Sequence, residues 1–308
     1  MKSVHGSCIG QSHVQVNKPR QDAAYSFPFG QSELEEKNYA IGIVCDGHGS
    51  PRYFRSDIGS VLATEAVFDV LNHFVELHPS YQSIKNINQA VENVKITIIA
   101  KWTKLVRAHL FTMPIKEDEY RKSSIEELVK DKSNFQPSNQ AISEKINALK
   151  ENHKQNPYKT YGTTVLAVLL ANDYHLVFQL GDGLIIQFNH QFEARIAFHQ
   201  DNEHHEGPHS KTDSLCTQDA YAKIKVEITH YAPTTHLGFF ICTDGVSEAF
   251  TRNESLFANI KNIVFAYQKM SHQESTEAIN EWLEHVSLRS MAKDDASLAL
   301  VLNRNDFS

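Results

Sequence analysis

The chain has 308 residues, enough for one large domain or two modest ones. Its 41% hydrophobic and 22% charged content describes an ordinary globule and excludes a disordered chain or a fibre. Thirty basic residues against 37 acidic ones give a formal charge of −7, which argues against a nucleic-acid partner, since general phosphate-backbone binding needs a strongly basic face.

In chain order, residues 39–45 (YAIGIVC) form an apolar run rich in β-formers and closed by Asp46-Gly47, which predicts a buried strand. After a turn at Ser50-Pro51, helical spacing over 58–77 (Ile58, Val61, Leu62, Ala66, Val70, Leu71, Phe74) predicts a helix. A second, over 84–110, carries Ile87, Val91, Val94, Ile98, Trp102 and Leu105 on one face. Residues 113–158 are more polar, with a capping-box helix start at Ser124 to Glu127 and a weak helix over 141–150. No Gly/Ser-rich linker brackets them, so they read as a helical insertion or cap within a single domain spanning 1–308. Strands follow at 163–171, 174–180 and 184–188, separated by Asn172-Asp173 and Gly181-Asp182-Gly183, and this spacing predicts an antiparallel meander. A polar, unpatterned stretch at 202–219 predicts a flexible loop. Beyond it come an alternating strand at 222–229, a buried strand at 237–242, and helices at 254–269 and, from the Ser271 to Glu274 capping box, to about 288; a strand at 297–302 closes the chain. Helix pairs early and late around these strands predict a layered α+β domain.

The four cysteines form no C-x-x-C pair; Cys45 and Cys242 end apolar runs and read as buried small hydrophobes, against a disulfide framework. Residues 1–10 lack the apolar core of a signal peptide, and the longest unbroken apolar run, 165–171, is too short to cross a bilayer. The expectation is a cytoplasmic protein without a membrane partner.

Three buried strands end in acidic turns, at Asp46-Gly47, Gly181-Asp182-Gly183 and Asp244-Gly245, and Asp294-Asp295 opens the last strand. An Asp-Gly turn after a strand is ordinary on its own. Four carboxylates at the ends of core strands, if those ends converge, call for a hard divalent cation to neutralise them. The pattern H-E-x-x-H at His205 to His209 is not a zinc-protease site, because Gly207 and Pro208 break the continuous helix that chemistry needs. There is neither a G-x-S-x-G elbow nor a P-loop.

The ordered series Gln21-Asp22-Ala23, Asp46-Gly47-His48-Gly49, Gly162-Thr163-Thr164, Gly181-Asp182-Gly183, Thr243-Asp244-Gly245-Val246 and Asp294-Asp295-Ala296-Ser297 resembles the metal-dependent protein phosphatases (protein phosphatase 2C-like), in a compact bacterial form. The resemblance implies a four-layer α-β-β-α sandwich, two central antiparallel sheets flanked by helix pairs. It also implies two Mn²⁺ or Mg²⁺ ions, with a third looser one, and hydrolysis of phosphoserine or phosphothreonine in a protein substrate by a metal-activated water. Transferred by position, Asp46 bridges both metals, the Gly47 carbonyl binds the second, and Asp244 and Asp294 hold the first. Asp22 sits in or behind the second metal's ligands, Asp182 joins Asp244 at a third ion, and His48 is the acid that protonates the leaving oxygen. Family members often carry Glu where Gln21 stands, Arg where Asn17 stands, Gly at Ser50, Arg at Leu184 and Asn at Asp295. With Asn17 unable to anchor phosphate, Arg20 becomes the expected substrate-binding cation, ahead of Lys18 and Arg52. A monomer is expected. The rival readings are a non-catalytic phosphoprotein-binding module and a two-metal hydrolase of another phosphoester.

Overall fold

The computed structural model describes residues 1–28, 38–129, 136–198 and 212–303. Its elements are β1 (Lys2–Cys8), α1 (Gln11–Gln15), β2 (Ala23–Phe27), β3 (Ala40–Cys45), α2 (Ser56–Leu77), α3 (Ile87–Thr112), α4 (Glu117–Val129) and α5 (Asn139–Gln155). After them come β4 (Val165–Leu170), β5 (Tyr174–Leu180), β6 (Leu184–Asn189), β7 (Ala194–Ile196), α6 (Ala220–Lys223), β8 (Lys225–His230), β9 (Leu237–Cys242), α7 (Asp244–Ser247), α8 (Asn253–Tyr267), α9 (His272–Ser287) and β10 (Ala296–Leu302). Short 3₁₀ turns at Pro51–Tyr53 and Lys159–Tyr161 flank the α4–α5 region.

Among the described residues the strands form two five-stranded antiparallel sheets, β1-β10-β9-β6-β7 and β2-β3-β4-β5-β8. Side chains alternate across a strand, and β4 shows what that does here. Val165, Ala167 and Leu169 face the layer formed with α2 and α3, while Leu166, Val168 and Leu170 face the other sheet. β10 divides likewise: Leu298 and Leu300 pack toward α8 and α9, and Ala299 and Val301 pack between the sheets. The central strands are therefore buried on both faces, which is why they read as unbroken apolar runs. The four-layer α-β-β-α expectation holds. α2 is long and apolar enough to cross a bilayer by length and composition, yet Ala63, Ala66, Val67 and Leu71 on it are fully buried within the protein.

Several details differ from the sequence reading. The predicted meander stops after β5: β4 and β5 pair, but β6 joins the other sheet beside β9. The crossing is made at Gly181-Asp182-Gly183, where Gly181 takes φ +115°, a conformation that only glycine adopts without strain. Ser124 does not cap a helix; it lies buried inside α4, whose first turn is Glu117, Asp118 and Glu119. By contrast, the Ser271–Glu274 capping box is formed as expected. Of the stretch expected to be a flexible loop, 202–211 lies outside the described residues, and the rest is anchored by buried Ser214, Leu215 and Cys216. All four cysteines are buried and none is in a disulfide.

α4 and α5 form a hairpin with its own apolar cluster of Tyr120, Ile142, Ile146 and Leu149. Arg55 fastens it. Its guanidinium gives a two-pronged bond to Glu119 (2.7 and 2.9 Å) and also donates to the Met113 and Pro114 carbonyls and to the Tyr161 hydroxyl.

Candidate functional site

Asp46 leaves the end of β3 in one sheet, Asp244 follows β9 in the other, and Asp182 sits in the crossing between them. One carboxylate oxygen from each of these three residues lies within 4.8 Å of the other two. The surrounding motifs hold them there. Thr164 Oγ1 accepts the Asp46 N–H at 3.0 Å, while the Thr164 N–H and Thr163 Oγ1 donate to the Asp46 carbonyl at 2.8 and 2.9 Å. The Gly47 N–H donates to the Gln21 carbonyl at 3.2 Å, tying the first motif to the second. Gln179 Nε2 donates to the carbonyls of Gly181 and Gly183 (both 3.1 Å), which fixes the turn bearing Asp182. At Gly245 a Cβ would come within 1.9 Å of the Asp295 carbonyl, so only glycine lets the start of α7 lie against the last motif.

The electrostatics of this cluster are those of crowded like charges. Burial first, then the neighbouring charges of Asp22, Asp244 and Asp182, raises the Asp46 carboxyl well above the usual carboxylate range. Asp244 is pushed up to about 6, by burial and then by Asp182. Asp22, buried behind the cluster with Oδ2 accepting from Thr243 Oγ1 at 2.8 Å, is raised by burial and then by Asp295. Glu248, which the sequence reading did not single out, is raised by burial and then by Asp182 and Asp294. Hard oxygen donors held close at an energetic cost are what a Mg²⁺- or Mn²⁺-type ion stabilises, so the residues present fit divalent cations.

Asp294, expected to share an ion with Asp244, is close enough for its charge to help raise the Asp244 carboxyl. Its Oδ1 lies 3.3 Å from His13 Nε2 and accepts the Asp295 N–H at 2.9 Å. Asp295 is buried and structural. One oxygen accepts from the Gly10 N–H (2.7 Å) and lies 3.0 Å from His13 Nδ1, while the other accepts from the backbone N–H groups of Gln21 and Asp22. Two acceptor oxygens explain an aspartate where the family often has asparagine. Burial disfavours a charged His13, but Asp295 and Asp294 outweigh it and raise the imidazole's pKa. Nothing in the sequence flagged His13, because its partners lie some 280 residues away.

His48 packs against Tyr53 with ring centroids 4.7 Å apart, and its backbone N–H donates to the Gly162 carbonyl. Burial lowers its pKa to about 4, opposed by the charge of Asp182, so the ring is neutral at pH 7. Asn17 takes φ +52°, a left-handed conformation in which asparagine is enriched. The guanidinium of Arg20 donates to the carbonyls of Asp22 (3.0 Å) and Ser7 (3.3 Å). Lys18 instead reaches the second motif, with Nζ donating to the Gly49 carbonyl at 3.2 Å. Gln21 Nε2 donates to Ser56 Oγ and to the His48 carbonyl, using the amide hydrogens that a glutamate would lack. The H-E-x-x-H segment lies outside the described residues.

The family model described as "Protein phosphatase 2C" matches residues 9–284. Among solved structures, a bacterial serine phosphatase aligns over 99% of this chain and 98% of its own at 13% identity and a TM-score of 0.51. PppA, described as a key regulatory component of T6SS in Pseudomonas aeruginosa, aligns over 98% and 97% at 12% identity and 0.51. The S. agalactiae serine/threonine phosphatase aligns over 97% and 98% at 15% identity and 0.50. No curated protein sequence matches significantly.

Proposed function

Because the chain belongs to the protein phosphatase 2C family, we propose that it is a metal-dependent phosphatase acting on phosphoserine or phosphothreonine of protein substrates, with Mn²⁺ or Mg²⁺ as cofactor. The observation that carries this reading is the approach of Asp46, Asp182 and Asp244 to within 4.8 Å of one another at the ends of buried strands. In this reading those three carboxylates hold the metal ions, and Asp22, Asp294 and the Gly47 carbonyl complete the ligand set. When bound, the ions supply an activated water and positive charge against the phosphoryl oxygens.

The chain's own residues then have distinct tasks. Thr163 and Thr164 fix the Asp46 backbone, and Thr243 orients Asp22. Lys18, held at Gly49, supplies a cation beside the second motif. His48 is the proton donor to the departing serine or threonine oxygen. It is neutral in the free protein, and a phosphate dianion arriving beside it favours the imidazolium form.

Purified protein should hydrolyse an aryl phosphate and a phosphoserine peptide with Mn²⁺ or Mg²⁺, and chelator should abolish both activities. Absence of turnover with every divalent metal would remove the enzymatic reading and leave a phosphoprotein-binding module. Nucleotide turnover far above peptide turnover would move the substrate to another phosphoester.

A further inference from the structure

A cavity of about 200 Å³ lies between α5 and the 3₁₀ turns at Pro51–Tyr53 and Lys159–Tyr161, apart from the aspartate cluster. Its walls carry Arg52, Lys145 and Lys159, with Glu127 as the one acidic group among the lining residues. Glu127 Oε1 lies 3.4 Å from Arg52 and 3.0 Å from Lys145, so it holds two cations at one wall without cancelling both. The lining therefore carries a net charge of +2, counting His153 as neutral, in a protein whose overall charge is −7.

Two polar atoms in this wall have no partner. Thr160 is 5% exposed, and its buried Oγ1 makes no hydrogen bond. His153 Nδ1 is likewise buried and unpartnered. Burial, then the nearby Arg55 charge, lowers the His153 pKa, which keeps the ring neutral with one N–H to donate. Both atoms are covered in the free protein, so a small rotation of each side chain would present a hydroxyl and an imidazole N–H to a multi-oxygen anion, while the three cations balance its charge.

We propose that this pocket is a binding site for a phosphate-type oxyanion, carried either on a second phosphorylated side chain of the substrate or as the free ion. Its link to the aspartate cluster is short. Thr160 lies two residues before Gly162, whose carbonyl accepts the His48 backbone N–H, and Arg52 follows His48 by four residues. Occupancy would thus register close to the second motif.

The test titrates inorganic phosphate into chelator-treated full-length protein by calorimetry, with thermal melts to verify that each variant is folded. In metal-free protein the aspartate cluster repels anions, and the part of the signal that Lys159→Ala removes belongs to this pocket. Saturable binding is expected. Lys159→Ala and Thr160→Val should each weaken it by about ten-fold, and Glu127→Gln should tighten it several-fold by removing the one opposing charge. Lys159 is partly exposed, so its variant remains informative if Thr160→Val fails to fold. No saturable binding, or binding that Lys159→Ala leaves unchanged, would overturn the proposal. The source is then assigned with peptides carrying one or two phosphates. A lower KM for the doubly phosphorylated peptide that Lys159→Ala abolishes places the anion on the substrate; equal KM values with phosphate binding intact assign it to the free ion. Only the peptide comparison rests on the phosphatase reading, so failure of that reading leaves the phosphate titration standing.

Discussion

Replacing Asp244 with asparagine should stabilise the metal-free protein while weakening its response to metal. The displacement of this carboxyl from its ordinary 3.8 to about 6 corresponds to ~3 kcal/mol against the ionised form in the folded state. Solvent at its partly open edge reduces that to ~1–3 kcal/mol. Asparagine has nearly the same shape and no charge, so in chelator at pH 7.5 the melting temperature should rise by ~2–5 °C. The sign follows from proton linkage. The folded pKa lies above the unfolded one, so the folded state binds more protons between them, and stability falls as pH rises from about 4 to about 6. The advantage of the variant should therefore be full above pH 6 and vanish below pH 4. With Mn²⁺ present the order should reverse, because the wild-type carboxylate is then neutralised by a ligand that the amide binds poorly. Differential scanning calorimetry at three pH values, with chelator and with Mn²⁺, measures all of this. A variant that melts below wild type in chelator at pH 7.5, yet gains as much from Mn²⁺, would refute the idea that these strand ends store repulsion for a cation.

Asp46→Asn should abolish metal-dependent phosphatase activity, measured on an aryl phosphate across a Mn²⁺ titration. His48→Ala should slow phosphopeptide turnover by ~10²–10⁴-fold and nitrophenyl phosphate turnover much less, since nitrophenolate leaves unaided; equal losses on both would remove the proton-donor role. Lys18→Ala should raise KM for phosphopeptides more than Arg20→Ala does, because Lys18 reaches Gly49 whereas Arg20 is spent on two backbone carbonyls; steady-state kinetics with the reverse ranking would return the anchor to Arg20. Arg55→Met should cost ~3–5 kcal/mol in urea unfolding, since it leaves Glu119 and two carbonyls without their partner.

The central strands and long helices were legible because each carries one periodicity without interruption. β3, β4, β9 and β10 are buried on both faces and appear as apolar runs, and α3 buries Val94, Ile98 and Trp102 as its spacing predicts. α2 was placed correctly and six of its seven predicted face residues pack on the core; Val61 is the exception at 53% exposed, while Ala63 and Val67, which were not singled out, are in the core. Small residues close to a sheet carry a weaker signal than a large residue facing water. β1 and β2 were missed because His5, Ser7, Tyr25 and Ser26 dilute their apolar content, and only pairing with β10 and β3 makes them strands. The turn at 181–183 is visible in sequence, but turn chemistry does not say which sheet the next strand joins. The acidic strand ends were visible for the same reason as the strands. Their partners Thr164, Thr243 and His13 were not read as partners, since a hydrogen bond across 118, 221 or 281 residues leaves no local trace.

The cluster draws its three carboxylates from both sheets and from the crossing between them. Repulsion among Asp46, Asp182 and Asp244 therefore acts to part the sheets at that end. The residues that oppose it are close in sequence. Val44 precedes Asp46 by two positions, Ile241 precedes Asp244 by three and Ile185 follows Asp182 by three; all are fully buried in the layer between the sheets. Each such side chain contributes ~1.5–3 kcal/mol of burial, the same order as the ~3 kcal/mol set against an ionised Asp244, to which the raised Asp46 adds. The apolar layer can thus hold the carboxylates at ligand spacing before any cation arrives. On this account metal binding adds stability to a fold that already stands, and chelation should lower the melting temperature without unfolding the chain at room temperature.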